Sequence, residues 1–180
     1  MLQQRRGRAD ISEKTGGFTC NVGFVGKTNT FVPHGFGCTR THVQNVWDNC
    51  AKEDQLPRCR ISVTRHGIRL ENLEKHAPAV RGDVITTPGA ILNFEVQDVS
   101  YFCAEGSPHQ RVFSWIHRNK MEGKLECYVV LCSSKEKAKL LAANVSLAFS
   151  HAFHDYKIEK VRRHKRAIVL RAAEQTHQFL

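Results

Sequence analysis

Residues 97–153 constrain this chain more than any other stretch, because they read as three successive strands followed by one amphipathic helix. Segments 97–104, 111–117 and 125–132 are rich in β-branched and aromatic residues, and turn-forming residues separate them. A meander is the economical arrangement of three such strands. The helix opens at Ser133-Ser134-Lys135-Glu136, an S-x-x-E capping box that offers a hydroxyl and a carboxylate to first-turn N–H groups. Ala138, Leu141, Val145, Ala148 and Ala152 then recur at three- and four-residue steps, and Ala142, Phe149, Phe153 and Tyr156 widen that side into one apolar face. A face of this breadth must dock, and the preceding sheet is the nearest apolar surface.

The remaining composition bounds the problem. A chain of 180 residues with 41% hydrophobic residues can build one core without disulfides or metal. No stretch approaches the ~20 apolar residues of a membrane span, and the first residues, Met1-Leu2-Gln3-Gln4-Arg5-Arg6, lack a secretory apolar run, which predicts a soluble intracellular protein. Seven cysteines, an odd number with no Cys-x-x-Cys pair, read as reduced and largely buried thiols. Ten histidines are dispersed without a His-Glu-x-x-His pattern, so neither a metal nor any other cofactor is expected. The net charge of +10 points to anionic partners, nucleic acid or acidic lipid. Basic residues do not interleave with exposed aromatics in an RNA-binding pattern, which argues against nucleic acid. Part of the charge is terminal, at Arg5, Arg6 and Arg8 and again at Arg162, Arg163, Lys165 and Arg166, where solvated tails or helix faces are the ordinary explanation.

Residues 1–16 read as a flexible basic leader, with a short helix around residues 10–14. Residues 18–31 read as a strand in which Gly23 and Gly26 permit a bulge or bend. Thr39 or Thr41 can cap a helix whose Val43, Val46, Trp47 and Cys50 form a complete apolar stripe ending before Pro57. Cys59, Ile61 and Val63 alternate with Arg60, Ser62 and Thr64, and His66-Gly67 turns into Ile68-Arg69-Leu70, predicting a hairpin. Residues 75–88, with Pro78, Gly82 and Pro88, read as a loop, and residues 90–94 as a further strand. Beyond Tyr156, residues 158–180 read as a basic helical extension.

This order of elements resembles the phosphotyrosine-binding (PTB) domain. Phe24-Val25-Gly26 is similar to the tyrosine-leucine-glycine that ends the first strand of that family. Asp98-Val99-Ser100-Tyr101-Phe102-Cys103-Ala104 resembles its peptide-binding edge strand, Phe113-Ser114-Trp115-Ile116 the strand that follows, and Leu147-Ala148-Phe149-Ser150-His151-Ala152-Phe153 its helix. Leu125-Glu126-Cys127-Tyr128-Val129-Val130-Leu131-Cys132 is similar to the corresponding strand of the low-density-lipoprotein-receptor adaptor, engulfment-adaptor and Disabled-like branch. The resemblance spans residues 17–157 and implies an α+β domain of the pleckstrin-homology-like superfold. Its expected form is a seven-stranded antiparallel β-sandwich capped by a C-terminal helix, with another helix between the first two strands.

The resemblance also implies a function: a non-enzymatic adaptor that binds Asn-Pro-x-Tyr or Asn-Pro-x-Phe segments of receptor cytoplasmic tails, at the inner face of the plasma membrane. An extended peptide would add to Val99, Ser100, Tyr101, Phe102, Cys103 and Ala104, with its side chains against the helix. Ser100 would hydrogen-bond the turn asparagine, Phe149 would form the groove floor and Phe153 would line it. Without the resemblance, Phe149 and Phe153 read as plain core and Ser100 as an outward-facing strand residue. In the tyrosine pocket Arg118 matches one basic position, but Leu125 stands where strictly phosphotyrosine-reading members carry another arginine. A phosphate dianion needs several charge-assisted donors, so phosphorylation is expected to be tolerated and not required. Lys27, Lys52, Arg58 and Arg60 are the implied contacts for a phosphoinositide headgroup.

A pleckstrin-homology-type lipid-binding domain without a peptide ligand is the alternative, and a nucleic-acid-binding domain comes third. No P-loop, Gly-x-Ser-x-Gly or paired-carboxylate motif suggests an enzyme.

Overall fold

The computed structural model describes residues 17–75 and 87–177. The expected leader, its short helix and most of the expected 75–88 loop lie outside these residues.

The long first strand organises the molecule. β1 (Phe18–Thr30) pairs with β2 (Arg58–Thr64) through its first half, Phe18 opposite Val63 and Gly23 opposite Arg58. Through its second half it pairs with β7 (Lys124–Cys132), from Val22 opposite Cys132 to Thr30 opposite Leu125. The register shifts between Phe24 and Gly26, so the bulge anticipated at the glycines bends one strand across two halves of a sheet. Gly26 has φ +156°, and a Cβ there would meet Val46 Cγ1 at 2.6 Å. The glycine thus serves both the bulge and the close approach of α1 (Arg40–Asp48), which lies between β1 and β2.

All strand pairs are antiparallel, in the order β4-β3-β2-β1-β7-β6-β5. The expected hairpin is β2 with β3 (Gly67–Asn72), and β4 (Ile91–Glu95) extends it. A 3-10 turn, Val96–Asp98, then carries the chain from one edge of the sheet to the other, where β5 (Val99–Ala104) pairs with β6 (Val112–Asn119). The edges meet through this turn because the sheet folds over into a sandwich. Inward residues of both halves, among them Ile61, Leu70, Phe94, Trp115, Tyr128 and Val130, form the main core. Val43 and Val46 of α1 close a second core against Val25, Ile116, Val129 and Leu131 on the outer face of β1, β6 and β7.

The expected helix face holds through its first half: Ala138, Leu141, Val145 and Ala148 of α2 (Lys135–His177) are buried in the main core, whereas Phe153 and Tyr156, 59% and 62% exposed, do not dock. Its cap differs by one residue from the sequence reading. The Lys137 backbone N–H donates to Ser134 Oγ at 3.2 Å, so Ser134 and not Ser133 stands before the first turn and the capping box is not formed. The helix runs 43 residues without a break and takes in the expected basic extension as far as His177. Among the described residues no helix is long and apolar enough to cross a membrane.

Candidate peptide-binding groove

Because β5 is the last strand of the sheet, one of its edges carries backbone N–H and C=O groups with no strand beside them among the described residues. α2 packs alongside. Phe102 stacks on Phe149 at 5.6 Å between ring centroids and 24° between planes, and both rings are only half-buried. Phe102 and Ala104 therefore face the helix, with Phe149 and Ala152 opposite. One turn further, Phe153 is 59% exposed and carries Lys157 Nζ at 4.4 Å over its ring. It is more open to solvent than half-buried Phe149.

The other side chains of β5 turn away. Val99 is buried in the main core, so it offers only its backbone to a ligand. Tyr101 packs on the second core with Cys38, and burial raises both its phenol and the neighbouring Cys103 thiol above their ordinary values. Ser100 occupies a register shift between Val99 and Tyr101. Its hydroxyl donates to the Pro33 carbonyl at 2.6 Å, which ties the loop after β1 to the start of the edge strand. With its proton committed, Ser100 Oγ keeps lone pairs for an incoming N–H donor such as an asparagine amide.

Arg118 and Leu125 are direct partners across β6 and β7, so the structure brings the two expected pocket residues together. Leu125 is half-buried against the second core and Arg118 is exposed. Lys124 is committed to Glu122 at 3.1 Å. The corner thus presents one guanidinium beside an aliphatic side chain.

Of the four expected lipid contacts, two already face a carboxylate. Lys27 turns toward buried Glu126, 3.0 Å away, and lies 5.9 Å from the centre of the Tyr128 ring. Arg58 and Arg60 share the exposed side of β2, where Arg60 lies 3.9 Å from Glu71, and exposed Lys52 precedes the 3-10 turn Glu53–Gln55 that leads into that strand.

Sequence reasoning missed Glu105. This buried carboxylate follows β5 and accepts hydrogen bonds from Thr39 Oγ1 and Ser114 Oγ, both at 2.6 Å. Thr39 is the N-cap residue of α1, as expected, but its hydroxyl serves Glu105 and not the helix. The network pins α1, β6 and the end of the groove strand to one another.

With this geometry in place, comparison with known proteins decides the family. The pattern of the phosphotyrosine interaction domain (PTB/PID) matches residues 19–179. The chain belongs to this family. Its members are non-enzymatic interaction modules. The PTB/PID chain is 26% identical over 160 residues to Protein FAM43A of Homo sapiens, covering 87% of this chain and 35% of that protein. It is 27% identical over 146 residues to the PTB-containing, cubilin and LRP1-interacting protein of Mus musculus, covering 77% and 63%. The mouse Low density lipoprotein receptor adapter protein 1 is 30% identical over 89 residues, 48% of this chain and 29% of that protein. The chain therefore spans about a third of the length of FAM43A. The solution structure of the C-terminal phosphotyrosine interaction domain of mouse APBB2 superposes with a TM-score of 0.56 at 19% identity, covering 82% of this chain and 96% of that one, which shows the shared fold.

Behind the pocket corner this PTB/PID domain holds two acid-sensitive groups. Burial drives the Glu126 carboxyl up, but hydrogen bonds from Lys27 and Tyr128 together with the Lys27 charge outweigh it and hold the group below its ordinary 4.5. His117 packs edge-on against Phe94 and Tyr128, and its Nδ1 is buried with no hydrogen-bond partner among the described residues. Burial lowers its pKa below 6.5, and Lys120 adds to this while the charges of Asp98 and Glu126 oppose it. Both shifts make the unfolded chain the better proton acceptor, so stability rises with pH across both titrations. The contribution of His117 is present above pH 6.5 and is lost as pH falls from there through its folded value; that of Glu126 is present above 4.5 and is lost below it. Denaturant midpoints measured from pH 8 down to about 2 are expected to fall in two stages, one below 6.5 and one below 4.5, and Glu126→Gln should flatten the lower one.

Proposed function

We propose that this PTB/PID domain binds Asn-Pro-x-Tyr or Asn-Pro-x-Phe segments of receptor cytoplasmic tails, with the peptide adding as a strand to β5. The observation that carries the reading is the open edge of β5 beside the half-buried Phe102–Phe149 stack, which offers backbone pairing and an apolar floor in one cleft. The lone pairs of Ser100 Oγ suit the turn asparagine, whose side chain would meet them where the peptide leaves the strand. Two relatives are named for receptor partners, one for the low density lipoprotein receptor and one for cubilin and LRP1, in keeping with a tail ligand.

Phosphorylation is tolerated and not required in this reading, because Arg118 stands beside Leu125 and a dianion would lack the further donors that replace its water. Acidic phospholipid at Lys27, Lys52, Arg58 and Arg60 draws less support, since Lys27 is paired with Glu126 and Arg60 lies near Glu71. A receptor-tail ligand would put the domain at the cytoplasmic face of the plasma membrane.

The test is equilibrium binding of three matched fluorescent peptides: Asn-Pro-x-Tyr, its phosphotyrosine form and an Ala-for-Asn control. The control should lose at least about tenfold in affinity, about 1.4 kcal/mol, while phosphorylation should change affinity by less than about threefold, under 1 kcal/mol. A phosphotyrosine preference above about tenfold would overturn the phosphate-independent reading, and failure of all three peptides to bind would overturn the ligand class.

A further inference from the structure

We infer that residues 157–171 of α2 form a membrane-surface element that lies on anionic phospholipid. This does not depend on the peptide reading and places lipid contact away from Lys27, Lys52, Arg58 and Arg60. α2 is tied to the sandwich as far as Asp155, whose carboxylate pairs with Arg65 at 2.8 Å. Beyond it the side chains from Tyr156 to Arg171 are exposed, apart from half-buried Glu159. These 15 residues carry seven Lys and Arg against one Glu, a balance of +6 in a chain whose net charge is +10. Arg163 pairs with that Glu159 at 3.2 Å.

Charge alone would describe a solvated helix, but bulky aliphatics share the surface. Val161 and Ile168 are each 54% exposed and Leu170 is 63% exposed. Ile158, Val161 and Ile168 follow at steps of three and seven, which puts them on one side of the helix with Val169 beside them. Arg162 and Arg166 flank this stripe. The segment is about 22 Å long at 1.5 Å per residue, enough to lie along a headgroup layer with the aliphatics dipping below it.

Lys165 decides between a bilayer and a second copy of the helix. It falls within the stripe, one turn from Val161 and three residues before Ile168. In a paired coil it would stand in the seam, where two strongly positive helices would also repel each other. On an anionic bilayer its stem lies along the apolar layer and its ammonium reaches the phosphates.

The experiment is co-sedimentation of the full chain with phosphatidylcholine vesicles, with and without about 30% phosphatidylserine, in about 0.1 M salt. Three variants are compared: Arg162→Gln/Arg163→Gln/Lys165→Gln/Arg166→Gln, Val161→Ser/Ile168→Ser, and Lys52→Gln/Arg58→Gln/Arg60→Gln. All change exposed residues, at the cost of the Arg163–Glu159 pair in the first and the Arg60–Glu71 contact in the third, and a melting curve of each checks that it folds. Wild type is expected to bind the anionic vesicles selectively, the helix charge variant to lose at least about tenfold, and the serine variant about threefold or more. The β2 variant is expected to keep wild-type binding. No selectivity for anionic vesicles, or loss in the β2 variant with none in the helix variants, would overturn the inference. So would a concentration-dependent dimer abolished by Val161→Ser/Ile168→Ser in a protein whose vesicle binding that variant leaves unchanged.

Discussion

Replacing Phe149 by alanine is expected to weaken binding of an unphosphorylated Asn-Pro-x-Tyr peptide by about 10- to 100-fold while the domain stays folded. The ring, the floor of the proposed groove, is stacked on Phe102 at 5.6 Å and left half-open to solvent. A peptide strand on β5 would cover both faces of that stack, and a central aromatic of this kind carries a large share of an interface. The folding cost should be only about 1 kcal/mol, because the ring already touches water in the free protein. Fluorescence anisotropy with the peptide and a melting curve separate the two effects. Phe149→Leu, which keeps most of the volume, should recover part of the affinity. Unchanged affinity in Phe149→Ala would remove the helix face from the site.

Trp115→Ala acts on the opposite side of the account, by unfolding the scaffold that holds β5 in place. Trp115 is fully buried, stacked on Tyr128 at 5.4 Å, and meets Phe94 edge-on at 5.2 Å. It bridges the two halves of the sandwich, since Phe94 belongs to β4 and Tyr128 to β7. Removing it deletes the transfer free energy of a large ring and leaves a cavity that the surrounding strands cannot close. The expected loss is about 3–5 kcal/mol, a large fraction of the ~5–15 kcal/mol that stabilises a domain. Urea unfolding followed by circular dichroism reads it directly, because only Trp47 would remain as a tryptophan fluorophore. A loss below about 1 kcal/mol would contradict the placement of Trp115 at the centre of the core.

Local regularity explains what was legible in the sequence. Ala138, Leu141, Val145 and Ala148 announce a docked helix face because burial imposes its period on the residues, and they are buried as expected. Cys59, Ile61 and Val63 announce a half-buried strand in the same way, and all three face the core. The groove between edge strand and helix was implied by the resemblance alone, and the Phe102–Phe149 pairing gave no local signal. The sequence reading failed where partners are far apart. Lys27 was read as a lipid contact with no acidic partner in its neighbourhood, because Glu126 stands 99 residues away. Glu105 gave no local signal, because Thr39 precedes it by 66 residues. Ser100 was correctly placed on the edge strand, but the Pro33 carbonyl that takes its proton lies 67 residues earlier. Ser133 and Ser134 are chemically equivalent as caps, and only the helix start distinguishes them.

Amide hydrogen exchange of the full chain, with and without a saturating Asn-Pro-x-Tyr peptide, tests the central claim most directly. Strand addition to β5 would give the outward N–H groups of Val99–Ala104 new acceptors, so their exchange should slow at least about tenfold, with smaller changes along the Phe149 face of α2. Slowed exchange elsewhere, with the β5 amides unchanged in the bound state, would contradict strand addition and place the ligand on another surface.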